Sequence, residues 1–433
     1  MNPPKDTRPV AAFITLGCRS NQYDTAAMMA RAEAAGYRVM DLSAVPESAE
    51  NIACFIINTC TVTHKSDYQC RQMVRRARRL CPDARIAATG CLAETDPDSL
   101  LAAGADMTAG PGERKRVVRF LGGREAPEDP FFYHPSGGRQ DKSRAVVKVQ
   151  DGCTDSCSYC IVPHARGKSR SLPREAVLDQ LKCLASQGFA EVVITGVHLG
   201  LYGHDRSSSL EELLISIAGS AGMPSRVRLS SIEPQAVSAR LIEIVAGAGL
   251  FCPHLHLPLQ SGDAKVLSDM KRPYTPERFE DIVEGIITRM PDAGIGIDLI
   301  AGFPGESDEA HENTVALARR LPVSYFHVFP YSKRPGTSAA RRTDQVPNDI
   351  IKSRAAELRE IGREKKRCFL EFQADKVLKV LFESTGDSGS FGISENYVRV
   401  ETDSEVRSGE IKPVKVRQTG PDSVSGTVCE QES

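Results

Sequence analysis

The sequence predicts an α/β chain made of an N-terminal α/β parallel-sheet domain, an incomplete (β/α)6 barrel and a small C-terminal β-barrel. Three observations predict it. Apolar runs at 11–17, 51–58 and 84–89 alternate with helical patterns near 23–36, 65–81 and 97–103, the layout of parallel strands joined by helices. Six more apolar runs, AVVKVQ (145–150), VVIT (192–195), RVRLSS (226–231), HLHLPL (254–259), IGIDLI (295–300) and YFHVFPY (325–331), are separated by amphipathic stretches such as PREAVLDQLKCLASQ and PERFEDIVEGIITRM. Right-handed crossovers between them give an incomplete barrel or an open doubly wound sheet. After a charged helical region at about 348–367, the segments VLKVLFES, ENYVRVET and IKPVKVRQ are divided by Gly, Ser and Asp, the pattern of a small antiparallel β-barrel. The expected limits are 9–120, a linker over 121–144 without a steady apolar period, 145–368 and 371–433.

Composition narrows the function. A chain of 433 residues with net charge −1 and 41% hydrophobic residues has enough material for several soluble cores. It shows no membrane span, and its start, MNPPKDTRPV, lacks the charged and apolar regions of a signal peptide. Thirteen cysteines without secretion signals point to metal or catalytic thiols in a reducing compartment rather than to disulfides. Cytoplasmic residence and a monomer are expected. The near-zero net charge argues against a general nucleic-acid binder, but RQMVRRARR (71–79) carries five arginines, whereas 371–433 holds 12 Asp/Glu against 7 Lys/Arg.

The densest chemical signal is DGCTDSCSYC, which places Cys153, Cys157 and Cys160 in a C-x3-C-x2-C loop after the first strand of the second domain. A structural zinc site asks for four protein ligands, and His164 is the one candidate for the fourth. Three thiolates suit a 4Fe-4S cluster that leaves one iron open, and the amino and carboxylate groups of S-adenosylmethionine can chelate such an iron. A second pattern lies in the first domain. Cys18 ends AAFITLGC, Cys60 ends ACFIINTC and Cys91 ends RIAATGC. In a parallel sheet all three emerge at one carboxyl edge, where open α/β sheets bind ligands. Cys70 and Cys81 instead share an apolar helical face with Met73, Val74 and Ala77, and Cys54 lies within a strand; these read as core. Cys183, Cys252, Cys368 and Cys429 have no partner spacing.

The C-x3-C-x2-C loop with Tyr159 before its last cysteine resembles the signature of the radical S-adenosylmethionine superfamily. That resemblance implies a cluster on Cys153, Cys157 and Cys160 that cleaves S-adenosylmethionine to a hydrogen-abstracting 5′-deoxyadenosyl radical. It also implies cofactor contacts at the strand ends of the barrel: Tyr159 and Ile161 beside the loop, backbone near Gly196, and Glu233, Gln260 or Asp298 on the ribose or amine. Taken together, TLGCRSNQYD, NTCTVTHKSD, TGCLAE, DGCTDSCSYCIVPHARGKSR, SSIEP, HLHLPLQSG, IAGFPGE and FHVFPYSKRPGT resemble the methylthiotransferase family over nearly the whole chain. Among its branches they most resemble the one acting on threonylcarbamoyladenosine in tRNA.

The family implies a radical barrel, a C-terminal TRAM barrel and a second 4Fe-4S cluster on Cys18, Cys60 and Cys91 whose sulfur is methylated and transferred. Carbon 2 of the adenine beside the anticodon is then the target, two S-adenosylmethionine molecules are used, and flavodoxin or ferredoxin donates electrons. Asn21, in the lip after Cys18, joins the active site on this reading. Arg71, Arg75 and Arg78 on one helical face, with Arg166 and Lys168 of RGKSR and the run REKKR (363–367), are the candidates for RNA phosphates. The acidic tail keeps a ribosomal-protein aspartate in play as substrate, the isopentenyladenosine branch is a nearer alternative, and a non-catalytic iron–sulfur carrier is the reading from another class.

Overall fold

In a computed structural model of the chain, described over residues 7–42, 52–122, 134, 138, 143–386 and 389–429, five parallel strands open the fold. They are β1 (Val10–Thr15), β2 (Arg38–Leu42), β3 (Ile52–Thr59), β4 (Arg85–Gly90) and β5 (Met107–Ala109), in the order β2-β1-β3-β4-β5. Between them run α1 (Arg19–Ala34), α2 (His64–Leu80), α3 (Cys91–Thr95) and α4 (Pro97–Ala102), and α5 (Lys115–Phe120) follows. Helices cover both faces, so the central strands read as unbroken apolar runs. Ala12, Ile14, Phe55, Ile57 and Ile86 pack against Cys70, Val74 and Ala77 of α2. Ala11, Phe13, Cys54 and Ile56 face the other way, toward Ala27, Met28 and Ala32 of α1.

Two of these strands were not expected. Edge strand β2 is the half-exposed RVMDL and β5 has three residues, too few apolar positions to give a period. Helix α1 begins at Arg19 rather than near 23, with Cys18 as its N-cap.

Next come β6 (Arg144–Lys148) and a short antiparallel pair, β7 (Gln150–Asp151) and β8 (Arg170–Ser171), that frames the cysteine loop and α6 (Val162–Arg166). The remaining barrel strands are β9 (Glu191–Thr195), β10 (Arg226–Leu229), β11 (His254–Gln260), β12 (Gly294–Ala301) and β13 (Tyr325–Pro330). They form two parallel three-stranded sheets, β10-β9-β6 and β11-β12-β13, joined where Ile232 N donates to His256 O (2.9 Å) and Cys252 N to Val227 O (2.9 Å). This is the incomplete barrel, closed outside by α7 (Arg174–Ser186), α8 (Leu210–Ala218), α9 (Ala239–Gly247), α10 (Ala264–Asp269), α11 (Pro276–Arg289) and α12 (Asp308–Arg320). Helix α1 packs on β6, and α13 (Asn348–Glu371) packs on β13. The expected linker falls largely outside the described residues. No helix among those described is long and apolar enough to cross a membrane.

The chain ends in a closed five-stranded barrel of β14 (Val377–Gly386), β15 (Gly389–Ser394), β16 (Arg399–Thr402), β17 (Ile411–Thr419) and β18 (Val424–Val428). Its pairings are antiparallel except β16 with β18, which is parallel, a departure from the all-antiparallel expectation. The glycine- and serine-rich β15 and β18 carry no strand signal in their sequence.

This barrel docks on the larger one through charge. Glu191 accepts from Arg226 Nε (2.5 Å) and Arg228 Nε (2.8 Å), and the two guanidiniums donate onward to the main-chain oxygens of Lys379, Ile393, Ser394 and Glu395. Burial opposes the charge on Glu191, but Arg228 and Arg226 outweigh it and hold the carboxyl down to about 2. Glu191→Ala leaves two buried guanidiniums without a counter-charge, so a loss of about 3–5 kcal/mol is expected in denaturant unfolding. With the folded pKa below the usual carboxylate value, the wild-type contribution is complete above pH 4.5 and declines as pH falls toward 2.

Candidate functional site

The strand order changes direction between β1 and β3, and in doubly wound sheets ligands bind at that switch point beyond the carboxyl ends. Cys18 leaves β1, Cys60 leaves β3, and Cys91 opens α3 directly after β4. Two glycines make the approach possible. Gly17 has φ +102°, and a Cβ there would lie 2.7 Å from Cys60 Cβ and 3.0 Å from its Sγ. Gly90 has φ +93°, and a Cβ would lie 2.4 Å from Asn58 Oδ1 and 2.5 Å from Thr59 O. Glycine alone takes both the left-handed backbone and the close contact, which explains the Gly-Cys pairs of TLGC and ATGC.

Cys60 and Cys91 are buried and Cys18 is exposed. Burial pushes the Cys60 thiol up to about 11, and the thiols of Cys91 and Cys18 act on it in the same sense. Cys70, expected only as core, is fully buried and also touches the Cys60 main chain, with Cys60 N to Cys70 Sγ at 3.4 Å.

The second trio sits in the loop after β7. Cys153 N donates to Gly167 O (3.0 Å), Ser158 N to Met270 O (3.0 Å), and Arg272 Nη1 to Cys157 Sγ (3.4 Å). Gly152, at φ +75°, lies so close to the Lys168 main chain that a Cβ would fall 2.1 Å from its oxygen. Burial lifts Cys153 to about 11 and Cys160 to about 12.

A single zinc ion about 2.3 Å from each thiolate would bring their sulfurs to about 3.8 Å of one another. Among the described residues, three ligand atoms of different side chains come within 4.8 Å of one another at His256, Asp298 and His327, and neither thiol trio does so. His164 is exposed and joins no such group. Three thiolates with one position left open are the donor set that suits a 4Fe-4S cluster. At the His-Asp-His group, Asp298 Oδ1 already contacts His256 Nε2 (2.8 Å) and His327 Nδ1 (3.2 Å). Burial opposes its charge, but these two hydrogen bonds hold the carboxyl down to about 2.

A cavity of about 220 Å³ is lined by Val62 and Thr63, which follow Cys60, by Tyr159, which precedes Cys160, and by Gln260, Asp298, Ile300, Phe329, Pro330, Tyr331 and Ser332. Its wall takes residues from the loops of both trios and from the carboxyl ends of β11, β12 and β13. Gln260 holds a left-handed φ of +70°, backbone strain of the kind that collects at ligand sites. The Tyr331 hydroxyl is buried without a hydrogen-bond partner among the described residues.

The remaining candidates divide. Glu233 is half-buried and bonds Arg272, so Arg272 ties the cluster loop to the SSIEP segment. Nothing in the sequence distinguished that arginine. A Cβ on Gly196 would lie 2.8 Å from Gln150 Oε1, and Ile161 is buried at the start of α6. Asn21 is buried with its amide on Leu16 O (2.7 Å) and Thr59 O (3.0 Å) and its oxygen on Arg166; it braces the strand exits of β1 and β3.

Arg166, expected on RNA, is instead buried, donating to Asp151 (2.7 Å) and Asp24 (3.4 Å), and its charge acts on the Cys91 thiol. Arg78 is also spent on structure, with Gly104 O (3.1 Å), Pro82 O (2.7 Å), Ala84 O (3.0 Å) and Asp106 (2.7 Å). Lys168 and Arg75 are exposed and Arg71 is half-exposed. A signal for the buried network was present: Lys148 interrupts the apolar AVVKVQD, and a lysine inside a buried strand demands a carboxylate.

Residues 147–318 match the Radical SAM superfamily, and residues 10–110 match the family described as Uncharacterized protein family UPF0004. The radical S-adenosylmethionine methyltransferase TsrM from Kitasatospora setae shares the fold, with a TM-score of 0.58 at 17% identity over 77% of each chain. With the curated relatives that follow, these two family matches define a radical S-adenosylmethionine enzyme that transfers methylthio groups. Threonylcarbamoyladenosine tRNA methylthiotransferase MtaB of Aquifex aeolicus is 34% identical over 94% of this chain and 99% of its own length. MtaB of Thermotoga maritima is 35% identical over 95% of both chains. A tRNA-2-methylthio-N(6)-dimethylallyladenosine synthase of Chlorobium limicola is 32% identical over 88% of both. The chain belongs to the radical S-adenosylmethionine methylthiotransferase family and within it is most like the MtaB type, with a 4Fe-4S cluster and S-adenosylmethionine as the family's cofactors.

Because burial holds Cys60, Cys153 and Cys160 protonated at neutral pH, loading the metal-free chain must expel protons. Calorimetry of anaerobic iron loading in buffers of different ionisation enthalpy should show net proton release, and affinity should fall as pH falls.

Proposed function

We propose that the chain methylthiolates carbon 2 of N6-threonylcarbamoyladenosine at position 37 of tRNA, consuming one S-adenosylmethionine as methyl donor and a second as radical source. The observation that carries this reading is the cavity walled by the loops of both cysteine trios, supported by similarity to MtaB proteins over nearly the full length. Cys153, Cys157 and Cys160 would hold the radical-generating cluster, and Cys18, Cys60 and Cys91 a second 4Fe-4S cluster that carries the sulfur. When bound, these groups and S-adenosylmethionine supply a radical able to abstract hydrogen from an unactivated carbon and a methylated sulfur to replace it.

The chain's own residues do the rest. Arg272 and Glu233 fix the position of Cys157 and offer a charged pair to the methionine end of the cofactor, with the backbone at Gly196 on the amino group. Gln260 and Asp298, on the cavity wall, take the ribose, and Tyr159 and Ile161 flank the cluster. His256 and His327 keep Asp298 ionised, so it accepts hydrogen bonds from hydroxyl groups at any neutral pH. The apolar Val62, Ile300, Phe329 and Pro330 line the substrate's side of the cavity and exclude water from the reacting carbon. A small flavodoxin or ferredoxin donates the electron.

Mass spectrometry of tRNA nucleosides from a deletion strain should show loss of the methylthio form of threonylcarbamoyladenosine. An unchanged level would overturn this reading, and loss of the isopentenyladenosine form in the same chromatogram would replace it with that branch. Cys18→Ala should still form 5′-deoxyadenosine on reduction but yield no methylthio product, and its iron content should fall by about half, from two clusters to one.

A further inference from the structure

Two residues of the cavity wall, Val62 and Phe329, are 54% and 42% exposed, so they stand at its mouth. Helix α2 begins there. Its capping residue Thr63 lines the cavity, and His64 N donates to Ser332 Oγ (3.1 Å), another lining side chain. The buried face of α2 is Asp67, Cys70, Val74 and Ala77. Beside it, His64, Tyr68, Arg71, Arg75 and Arg79 follow one another at i, i+4, i+7, i+11 and i+15, a spacing that the 3.6-residue turn sets in a single line about 22 Å long.

Tyr68 is 57% exposed, a large ring left in water. Arg71, Arg75 and Arg79 have no ion pair or hydrogen bond among the described residues, whereas their neighbour Arg78 has four. A row of guanidiniums without a partner among the described residues, starting at an exposed aromatic beside the cavity, is left open to the phosphates and bases of a single strand.

We propose that this flank of α2 is the track for the anticodon arm: Tyr68 stacks on the base next to the one entering the cavity, and Arg71, Arg75 and Arg79 take successive backbone phosphates. Aromatic stacking and basic side chains tracking the backbone are the two parts of single-stranded RNA recognition. The track starts where the substrate base must enter and leads away along the helix, so it fixes the direction of the strand as well as its affinity. This inference rests on the RNA reading above.

The test is fluorescence anisotropy of a labelled anticodon stem–loop RNA with the anaerobically reconstituted full chain. Arg75→Ala/Arg79→Ala should weaken binding and reduce the slope of log affinity on log salt by about 1.4–1.8, two phosphate contacts' worth. Tyr68→Ala should weaken it about tenfold, at the low end of stacking, and Tyr68→Phe should restore it. Unchanged iron content and thermal midpoint in each variant show that the fold is intact. Wild-type binding with the same affinity and salt slope in the variants overturns the track while leaving the RNA reading in place. A wild-type chain that does not bind the stem–loop overturns the RNA reading and this proposal with it.

Discussion

Where α1 meets the first barrel strand, Asp24, Lys148 and Asp151 are buried together with Arg114 and Arg166. Lys148 Nζ lies 2.5 Å from Asp24 and 2.9 Å from Asp151, and Arg114 lies 2.5 Å from Asp24. Each of these ions costs several kcal/mol to desolvate and is stable only while its partners are present. The partners come from both halves of the molecule: Asp24 on α1 and Arg114 at the cap of α5 from the helices around the first sheet, Lys148, Asp151 and Arg166 from the barrel. Separating the halves would strand charges on each, so the pairing that makes burial tolerable also fixes the first sheet against the barrel. Tyr23, packed on Val146 and Val193 with its hydroxyl on Gln180 (2.8 Å), adds the apolar part of the same joint. Every other feature of the site, from the shared cavity to the facing thiol loops, presupposes this register.

The network also carries an excess of positive charge toward the thiols. Asp24 and Asp151 face Lys148, Arg114, Arg166 and the partly exposed Arg170, and the charge of Arg166 acts on both Cys91 and Cys18. The charge of Arg166 opposes the effect of burial on the Cys91 thiol, but burial is the larger influence and the thiol is pushed up on balance. Helix α6 makes the link physical. It begins two residues after Cys160, ends at Arg166 and packs on α3, which Cys91 opens, so a short helix spans from one cysteine loop to the helix of the other.

What could be read from the sequence followed from local rules, and what could not followed from long-range ones. The strand-then-cysteine pattern of Cys18, Cys60 and Cys91 was legible because a parallel sheet sends strand ends to one edge. The C-x3-C-x2-C spacing was legible because it is local. Helices α2 and α11 announced themselves through amphipathic periods. Strands β2, β5, β15 and β18 did not, being short, edge-placed or rich in glycine and serine. The fates of arginines were the least legible. Arg166 and Arg78 lie in basic runs that look like surface charge, and only the fold brings Asp24, Asp151 and Asp106 to them from distant parts of the chain. Arg272 and Glu233 are 39 residues apart in loops with no shared motif.

The joint between the two barrels is of another kind. Arg226 and Arg228 reach across to carbonyl oxygens of the small barrel, and their carboxylate partner among the described residues, Glu191, belongs to the large one. Attachment therefore depends in part on the path of the small barrel's backbone, and in part on a few of its side chains: Tyr397 stacked on His254 with ring centres 4.4 Å apart, Glu383 paired with Arg144, and Asn396 donating to Asp292 O (3.0 Å). Away from those few side chains the terminal module is free to drift in surface chemistry, including toward the acidic balance it has here, without working loose from its base. Over evolutionary time such a fitting lets the same catalytic body keep its seat for a C-terminal barrel while the outward face of that barrel is rewritten.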